Sequence, residues 1–128
     1  MSSLNHGVQK TILITGGSSG IGYQAVIKML INGHKIILPC RNKKISERTL
    51  QRLSKENLID SKNFLNASAP IMDLSDLVSI ENFCSSVLNN CKAIDVLILN
   101  AGLQYTGAKN PRFSAQGYEL TFATNHLS

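Results

Sequence analysis

The sequence has few cysteines and no paired cysteine motif. Its 128 residues include only Cys40, Cys84 and Cys91. An odd number of cysteines without C-x-x-C spacing argues against a disulfide framework and against a zinc site. We therefore expect no metal site, and we expect reduced thiols in a cytoplasmic protein.

Long hydrophobic segments are also absent. No apolar run approaches the roughly 18 residues that a membrane-spanning helix needs. The first seven residues, M-S-S-L-N-H-G, lack the apolar core of a signal peptide. These absences predict a chain with neither a signal peptide nor a membrane span.

Aromatic residues are scarce, and tryptophan is missing. The net charge is +5, and the basic residues cluster between Arg41 and Lys55, with Glu47 and Glu56 among them. No aromatic side chain interleaves with these charges, so nucleic-acid bases would find no stacking surface. The cluster favours a solvated helix face over a nucleic-acid surface. The anion that we expect this chain to bind is a cofactor phosphate.

The most informative segment that is present is T-I-L-I-T-G-G-S-S-G-I-G, residues 11–22. A short apolar run ends in a glycine-rich turn, and an amphipathic segment follows at once. This strand–turn–helix arrangement holds a pyrophosphate at the start of the helix. Gly16 allows the sharp exit from the strand, Gly20 leaves room for a phosphate near the backbone, and Gly22 allows close packing of the helix.

The remaining segments alternate between apolar and amphipathic patterns. We predict strands at 10–15, 35–39, within 63–72 and at 94–99, and helices at 20–32, 43–55, from about 75, and from about 114 onward. Alternation with right-handed crossovers predicts an α/β fold, a Rossmann-type doubly wound parallel sheet that stops after about four strands. We expect residues 1–128 to form one domain.

Two helices have predicted buried faces. The first helix should bury Ile21, Ala25, Met29 and Leu30, and the third should bury Leu77, Ile80, Cys84, Val87 and Leu88. Ser75 is the predicted N-cap of the third helix, with Asp76 in its first turn. The last strand and last helix are expected to expose an apolar edge that favours self-association.

Two motifs resemble the short-chain dehydrogenase/reductase family. The glycine segment reads T-G-x-x-x-G-x-G from Thr15 to Gly22, and an apolar strand ends in the tripeptide N-A-G at residues 100–102. Taken alone, the glycines could equally form a Gly/Ser loop between any strand and helix. The resemblance implies an oxidoreductase whose nicotinamide cofactor contacts the turn and the helix start, at Gly16, Ser18, Ser19, Gly20, Ile21 and Gly22.

The end of the second strand, L-P-C-R-N at residues 38–42, contains no carboxylate. In dinucleotide folds, an Asp or Glu at this place binds the ribose 2′-hydroxyl, whereas an arginine can pair with a 2′-phosphate. We therefore predict NADP(H) as the cofactor, with Arg41 and Asn42 beside the 2′-phosphate. The alternative is a solvent-facing arginine at a helix start.

The resemblance assigns further cofactor contacts. Asp73 and Leu74 would hold the adenine, although an Asp near a helix N-terminus can also serve the helix dipole. Asn100 would brace the carboxyl edge of the sheet, and Ala101 and Gly102 would lie along the cofactor. The alternative for this tripeptide is a plain strand-ending turn.

The segment from Ala108 to Leu127 is similar to the retinol dehydrogenase and light-dependent protochlorophyllide oxidoreductase branch. The resemblance makes Asn125 a catalytic residue that helps to hold a water in a proton relay. It also implies a small-molecule substrate in the full-length parent. The exposed apolar edge adds a homo-oligomer as a further expectation, while the oligomeric state stays open. Tyr105 and Lys109 form a Y-x-x-x-K sequence, but Gly107 and Pro111 place it in a loop, so we expect a coincidental match.

The family's catalytic Tyr, Lys and Ser are expected beyond Ser128, so the 128 residues alone are expected to be inactive. Two other interpretations stay open from the residues. One is a non-catalytic NADP-binding remnant. The other is an unrelated doubly wound protein such as a methyltransferase, which leaves the N-A-G segment unexplained.

Overall fold

The computed structural model describes residues 7–104 and 109–128. Strands and helices alternate along most of this length. In chain order they are β1 (Thr11–Ile14), α1 (Gly20–Ile31), β2 (Lys35–Ile37), α2 (Lys43–Leu53), α3 (Ser61–Phe64), β3 (Ala67–Ser68), α4 (Leu77–Asn90), β4 (Val96–Ile98) and α5 (Leu120–Phe122), which continues as a π-helical turn over Ala123–Leu127. Within the described residues, no helix is long and apolar enough to cross a membrane.

The four strands form one parallel sheet in the order β3-β2-β1-β4. Ile12 of β1 pairs with Ile36 on one side and Val96 on the other, so β1 is an inner strand. The chain moves outward from β1 to β3 and then returns to the opposite side of β1. This reversal opens a crevice at the carboxyl ends of β1 and β4, where ligands bind in open α/β sheets. The predicted α/β fold with a parallel sheet is confirmed.

The main core lies between the sheet and helices α1 and α2. Val26 and Leu30 of α1, Ile36 of β2 and Leu53 of α2 are completely buried there. The predicted inner face of α1 was partly wrong, because Ile21 is 86% exposed. The residue lies in the first helical turn, which extends past the end of β1 and borders the open crevice instead of the sheet.

Helix α4 begins near its predicted start, but its N-cap is one residue later than predicted. Its N-cap is Asp76, whose carboxylate accepts a hydrogen bond from the backbone N–H of Val78 at 3.1 Å. The predicted cap, Ser75, instead donates its hydroxyl and its backbone N–H to the carboxylate of Asp73, at 2.6 and 2.9 Å. Asp73 therefore fixes the approach to the helix, and Asp76 caps it.

The predicted buried stripe of α4 was also partly wrong. Phe83 is the one residue of α4 that is buried, and it packs with Leu13 and Met72. Cys84 is exposed, and the side chain of Leu88 is 80% exposed. Both line an apolar groove beside β4, the edge strand of the sheet, so the outer half of the stripe has no sheet surface to pack against.

The last helix begins at Leu120, not near Ser114. Gly117 has φ 82°, a left-handed conformation that interrupts a helix, and it belongs to a turn that precedes α5. The carboxylate of Glu119 then caps α5, because it accepts hydrogen bonds of 3.1 and 2.8 Å from the backbone N–H groups of Thr121 and Phe122. The short helix α3 was not predicted.

Candidate functional site

A cleft of about 620 Å³ opens at the carboxyl ends of β1, β2 and β4. It contains most of the residues that the sequence proposes as cofactor contacts. These are Gly16, Ser18, Ser19, Gly20, Ile21, Gly22, Arg41, Leu74, Asn100, Ala101 and Gly102. Segments far apart in the sequence therefore meet here because parallel strands end at the same edge of the sheet.

Three of the proposed residues do not line this cleft, and each has a local partner. Asn42 is the N-cap of α2, and its side-chain oxygen accepts from the N–H of Ile45 at 2.9 Å. Asp73 accepts the two hydrogen bonds from Ser75. Asn125 lies on the π-helical turn and pairs with the backbone of Leu103. These contacts give all three residues a structural role, whatever else they do.

The glycine turn needs its glycines for two physical reasons. Gly16 has φ 67°, a conformation that residues with a side chain rarely adopt. At Gly22 the reason is space, because an added Cβ would overlap the carbonyl oxygen of Gly16 and lie 2.6 Å from the side-chain nitrogen of Asn100. The close packing expected at Gly22 is thus against the turn itself and the end of β4.

Helix α1 points its amino end at the cleft. Ser19 is its N-cap, but the Ser19 side chain makes no capping hydrogen bond, and the first turn holds no acidic residue. The first N–H groups of an α-helix have no partner within the helix, the Ser19 side chain does not cap them here, and the helix dipole adds partial positive charge. An anionic group in the cleft would accept hydrogen bonds from these N–H groups and would be attracted by the positive end of the helix.

Arg41 supplies the charge of the site. Among the described residues that line the cleft, Arg41 is the one charged residue, and it is exposed. It has no hydrogen bond or ion pair with any residue of 7–104 or 109–128. The neighbouring Cys40 is buried and pairs through its backbone with Pro70 and Met72, both at 2.8 Å, which fixes the chain next to the guanidinium. Burial raises the pKa of the Cys40 thiol, so this neighbour stays neutral.

Thr15 is a residue of the candidate site to which the sequence argument gave no role. Its hydroxyl oxygen accepts hydrogen bonds from the backbone N–H groups of Asn100 and Ala101, at 3.1 and 3.0 Å. The side-chain amide of Asn100 donates in return to the carbonyl oxygens of Thr15 and Gly16, at 3.2 and 3.3 Å. The T-G dipeptide that opens the glycine motif was the signal that could have identified it.

Asn125 and Leu103 form a reciprocal pair at the other end of the cleft. The side-chain oxygen of Asn125 accepts from the N–H of Leu103, and its side-chain nitrogen donates to the carbonyl of Leu103, both at 2.8 Å. The adjacent Thr124 hydroxyl is buried and has no hydrogen-bond partner among the described residues. Thr124 lines the cleft.

The comparison with protein families agrees with this geometry. Residues 10–128 match the model of the short chain dehydrogenase family. The chain belongs to this family. The resemblance predicted from the glycine turn and from the N-A-G tripeptide is therefore confirmed.

Several relatives of this short-chain dehydrogenase chain are 32–36% identical to it. They are the WW domain-containing oxidoreductase of Drosophila melanogaster (36% over 122 residues), human retinol dehydrogenase 13 (32% over 119) and the chloroplastic protochlorophyllide reductase of Chlamydomonas reinhardtii (32% over 120). The matches cover 92–93% of this chain but 28–33% of the relatives. The chain thus spans about a third of the length of the curated relatives that it matches.

Solved structures of short-chain dehydrogenases have the same fold. A short-chain dehydrogenase from Sphingobium yanoikuyae, determined in complex with NADPH, is 28% identical and superposes with a TM-score of 0.67. The superposition covers 92% of this chain and 43% of that one.

Proposed function

We propose that the cleft binds NADP(H) and that residues 1–128 form the cofactor-binding domain of an oxidoreductase. The bound cofactor would supply a hydride to a carbonyl or to a conjugated double bond of a small-molecule substrate. The observation that carries the proposal is Arg41, the one charged residue among the described residues lining the cleft, where a carboxylate would favour NAD.

The residues present fit this cofactor. The open space beside Gly20, where an added Cβ would meet no atom within 4 Å, and the N–H groups at the start of α1 suit a diphosphate. Arg41 would pair with the 2′-phosphate, and Asn42 would fix the start of α2 beside it. Leu74 would contact the adenine from within the cleft, and Asp73 would act from just outside it. Ala101 and Gly102 would lie along the cofactor.

We assign Asn125 a positioning role in addition to the predicted relay role. Its hydrogen bonds to Leu103 hold the strand-ending segment against the last turn of the chain. The holding of a water by Asn125 stays a prediction. So does the coincidental nature of the Tyr105-x-x-x-Lys109 match, because Tyr105 lies outside the described residues.

A second candidate function is an NADP-binding domain without catalysis. Substrate, homo-oligomer formation and a cytoplasmic location stay predictions in both cases.

The test is calorimetric titration of the chain with NADPH and with NADH. Charged hydrogen bonds contribute about 1.5–3 kcal/mol, so NADPH should bind about 10- to 150-fold more tightly. Equal or tighter binding of NADH would contradict the assignment of Arg41, and the absence of heat with both nucleotides would overturn the proposed function. Because the 128 residues alone are expected to be inactive, NADPH consumption by the complete gene product with a panel of aldehydes and ketones separates the two candidates.

A further inference from the structure

A second arginine contacts the glycine turn from outside the cleft. Arg52 lies in the last turn of α2, and its Nη1 donates to the carbonyl oxygen of Ser18 at 3.1 Å. Arg52 does not line the cleft, whereas Ser18 does. The contact therefore joins α2 to the back of the turn that is proposed to hold the diphosphate.

The guanidinium of Arg52 lies on an ordered surface. Its Cζ is 4.0 Å from the centre of the Tyr23 ring, and Tyr23 is only 2% exposed. The Tyr23 hydroxyl donates to the carboxylate of Glu56 at 3.0 Å. Burial, followed by the bond to Glu56, raises the pKa of Tyr23, so the phenol remains a neutral donor. The cation–π contact and the hydrogen bond to Ser18 both favour this position of the Arg52 guanidinium.

The position of Arg52 determines how the Ser18–Ser19 peptide is oriented. This peptide is trans, so its N–H points away from its carbonyl. While Arg52 holds the Ser18 carbonyl, the partial negative charge of that oxygen stays directed at the guanidinium and cannot turn toward an anion in the cleft. The Ser19 N–H is held in the opposite direction.

We propose that Arg52 is a positioning residue for the nucleotide diphosphate and that it acts through the Ser18–Ser19 peptide. The inference rests on the proposed function and deepens it. Because the diphosphate is common to NADPH and NADH, Arg52 should change the affinity for both nucleotides by the same factor. Arg41, by contrast, should affect NADPH alone.

The test compares the chain with Arg52→Ala, Arg52→Lys and the control Arg48→Ala. Arg48 is an exposed arginine on the same helix and lies outside the cleft lining, so its removal changes the net charge equally. A hydrogen bond contributes about 0.5–1.5 kcal/mol. Arg52→Ala should therefore lower the affinity for each nucleotide about 2- to 13-fold and leave the ratio of the NADPH affinity to the NADH affinity unchanged. Arg52→Lys should recover part of the loss, because an ammonium can still donate to the Ser18 carbonyl. Arg48→Ala should bind like the unchanged chain.

Backbone amide chemical shifts without nucleotide are the second measurement. The Ser19 and Gly20 amide resonances should move in Arg52→Ala and stay in place in Arg48→Ala. Unaltered binding, or unaltered Ser19 and Gly20 shifts, in Arg52→Ala would overturn the inference while the proposed function stands. Weakening of NADPH alone would instead indicate direct contact with the 2′-phosphate and overturn it too. If the unchanged chain binds neither nucleotide, the proposed function and the inference fail together.

Discussion

The hydroxyl oxygen of Thr15 accepts a hydrogen bond of 3.1 Å from the backbone N–H of Asn100, although the two residues are 85 positions apart in the sequence. The contact joins the carboxyl ends of β1 and β4, the two strands between which the cleft opens. The same oxygen accepts the N–H of Ala101, so one side chain satisfies two buried or half-buried donors. The Thr15 hydroxyl therefore adds two hydrogen bonds to those that the Asn100 side chain and the paired strands already make across the cleft wall.

Replacement of Thr15 by valine should destabilise the chain by about 1–3 kcal/mol, because two backbone donors lose their acceptor while the side-chain volume is kept. Urea unfolding measures the change. Thr15→Ser keeps the hydroxyl and is the matched control, which should recover most of the loss. Equal stability of the valine and serine variants would contradict the role of the hydrogen bonds.

Alanine at Gly22 should disrupt the turn, whereas alanine at Gly102 should leave the fold intact. The Cβ at position 22 would overlap the carbonyl of Gly16, a backbone atom that cannot move aside without distorting the turn. At position 102 the nearest atom is the Asn125 side-chain oxygen at 3.8 Å, an ordinary contact.

Circular dichroism melting and NADPH titration distinguish the two glycine variants. Gly22→Ala should lose about 1–3 kcal/mol of stability, the usual cost of overpacking, together with nucleotide binding. Gly102→Ala should melt like the unchanged chain and bind NADPH more weakly, because its methyl group would occupy space along the cofactor. Full affinity in Gly102→Ala would argue against passage of the cofactor there.

Removal of the guanidinium in Arg41→Ala should weaken NADPH binding by about 1.5–3 kcal/mol and leave NADH binding nearly unchanged. The reason is that only NADPH carries the 2′-phosphate. Calorimetry with both nucleotides gives the two affinities. Arg48→Ala again serves as the charge-matched control, and a parallel loss for NADH would show that Arg41 does not read the 2′-phosphate.

The stability that Asp76 contributes should depend on pH. The hydrogen bond from Gln116, at 2.8 Å, and that from the Val78 N–H hold the pKa of Asp76 below its usual value of 3.8. Because the pKa of Asp76 is lowered in the folded state, its contribution to stability is complete above pH 3.8. This contribution is lost as the pH falls through the pKa that Asp76 has in the folded chain.

Urea midpoints of the unchanged chain and Asp76→Asn, measured at pH 7 and at pH 3 or below, test this sign. The asparagine keeps a capping oxygen but not the charge. The unchanged chain should be the more stable at pH 7, and the difference should shrink in acid. A difference that stays constant over this range would exclude the carboxylate as its cause.

Asn125→Ala should release the segment after β4. Both hydrogen bonds to Leu103 would be lost, and each contributes about 0.5–1.5 kcal/mol, so the Leu103 amide should exchange at least about 2- to 13-fold faster. Hydrogen exchange followed by NMR gives the rate. His126→Ala is the control, because the His126 ring stacks on Phe122 at 5.1 Å and makes no contact with Leu103 among those described. Equal exchange rates in the two variants would refute this role of Asn125.

Local spacing in the sequence was sufficient for much of the fold. The glycine turn, the strand before it and the helix after it follow from neighbouring residues, and the predicted boundaries of β1, α1, β2, α2 and β4 are within two residues of the observed ones. The start of α5 was missed because the left-handed conformation of Gly117 ends the preceding turn. The N-cap of α4 was predicted one residue too early because Asp73 engages Ser75.

By itself, the sequence determined the family, the parallel α/β architecture and the edge of the sheet at which the site lies, because backbone periodicity and glycine turns are properties of short segments. Only the tertiary structure decided that Thr15 pairs with Asn100, that Arg52 holds the carbonyl of Ser18, and that Leu88 of α4 faces an open groove. These contacts join residues that are distant in sequence, and their partners depend on how the strands are ordered around β1.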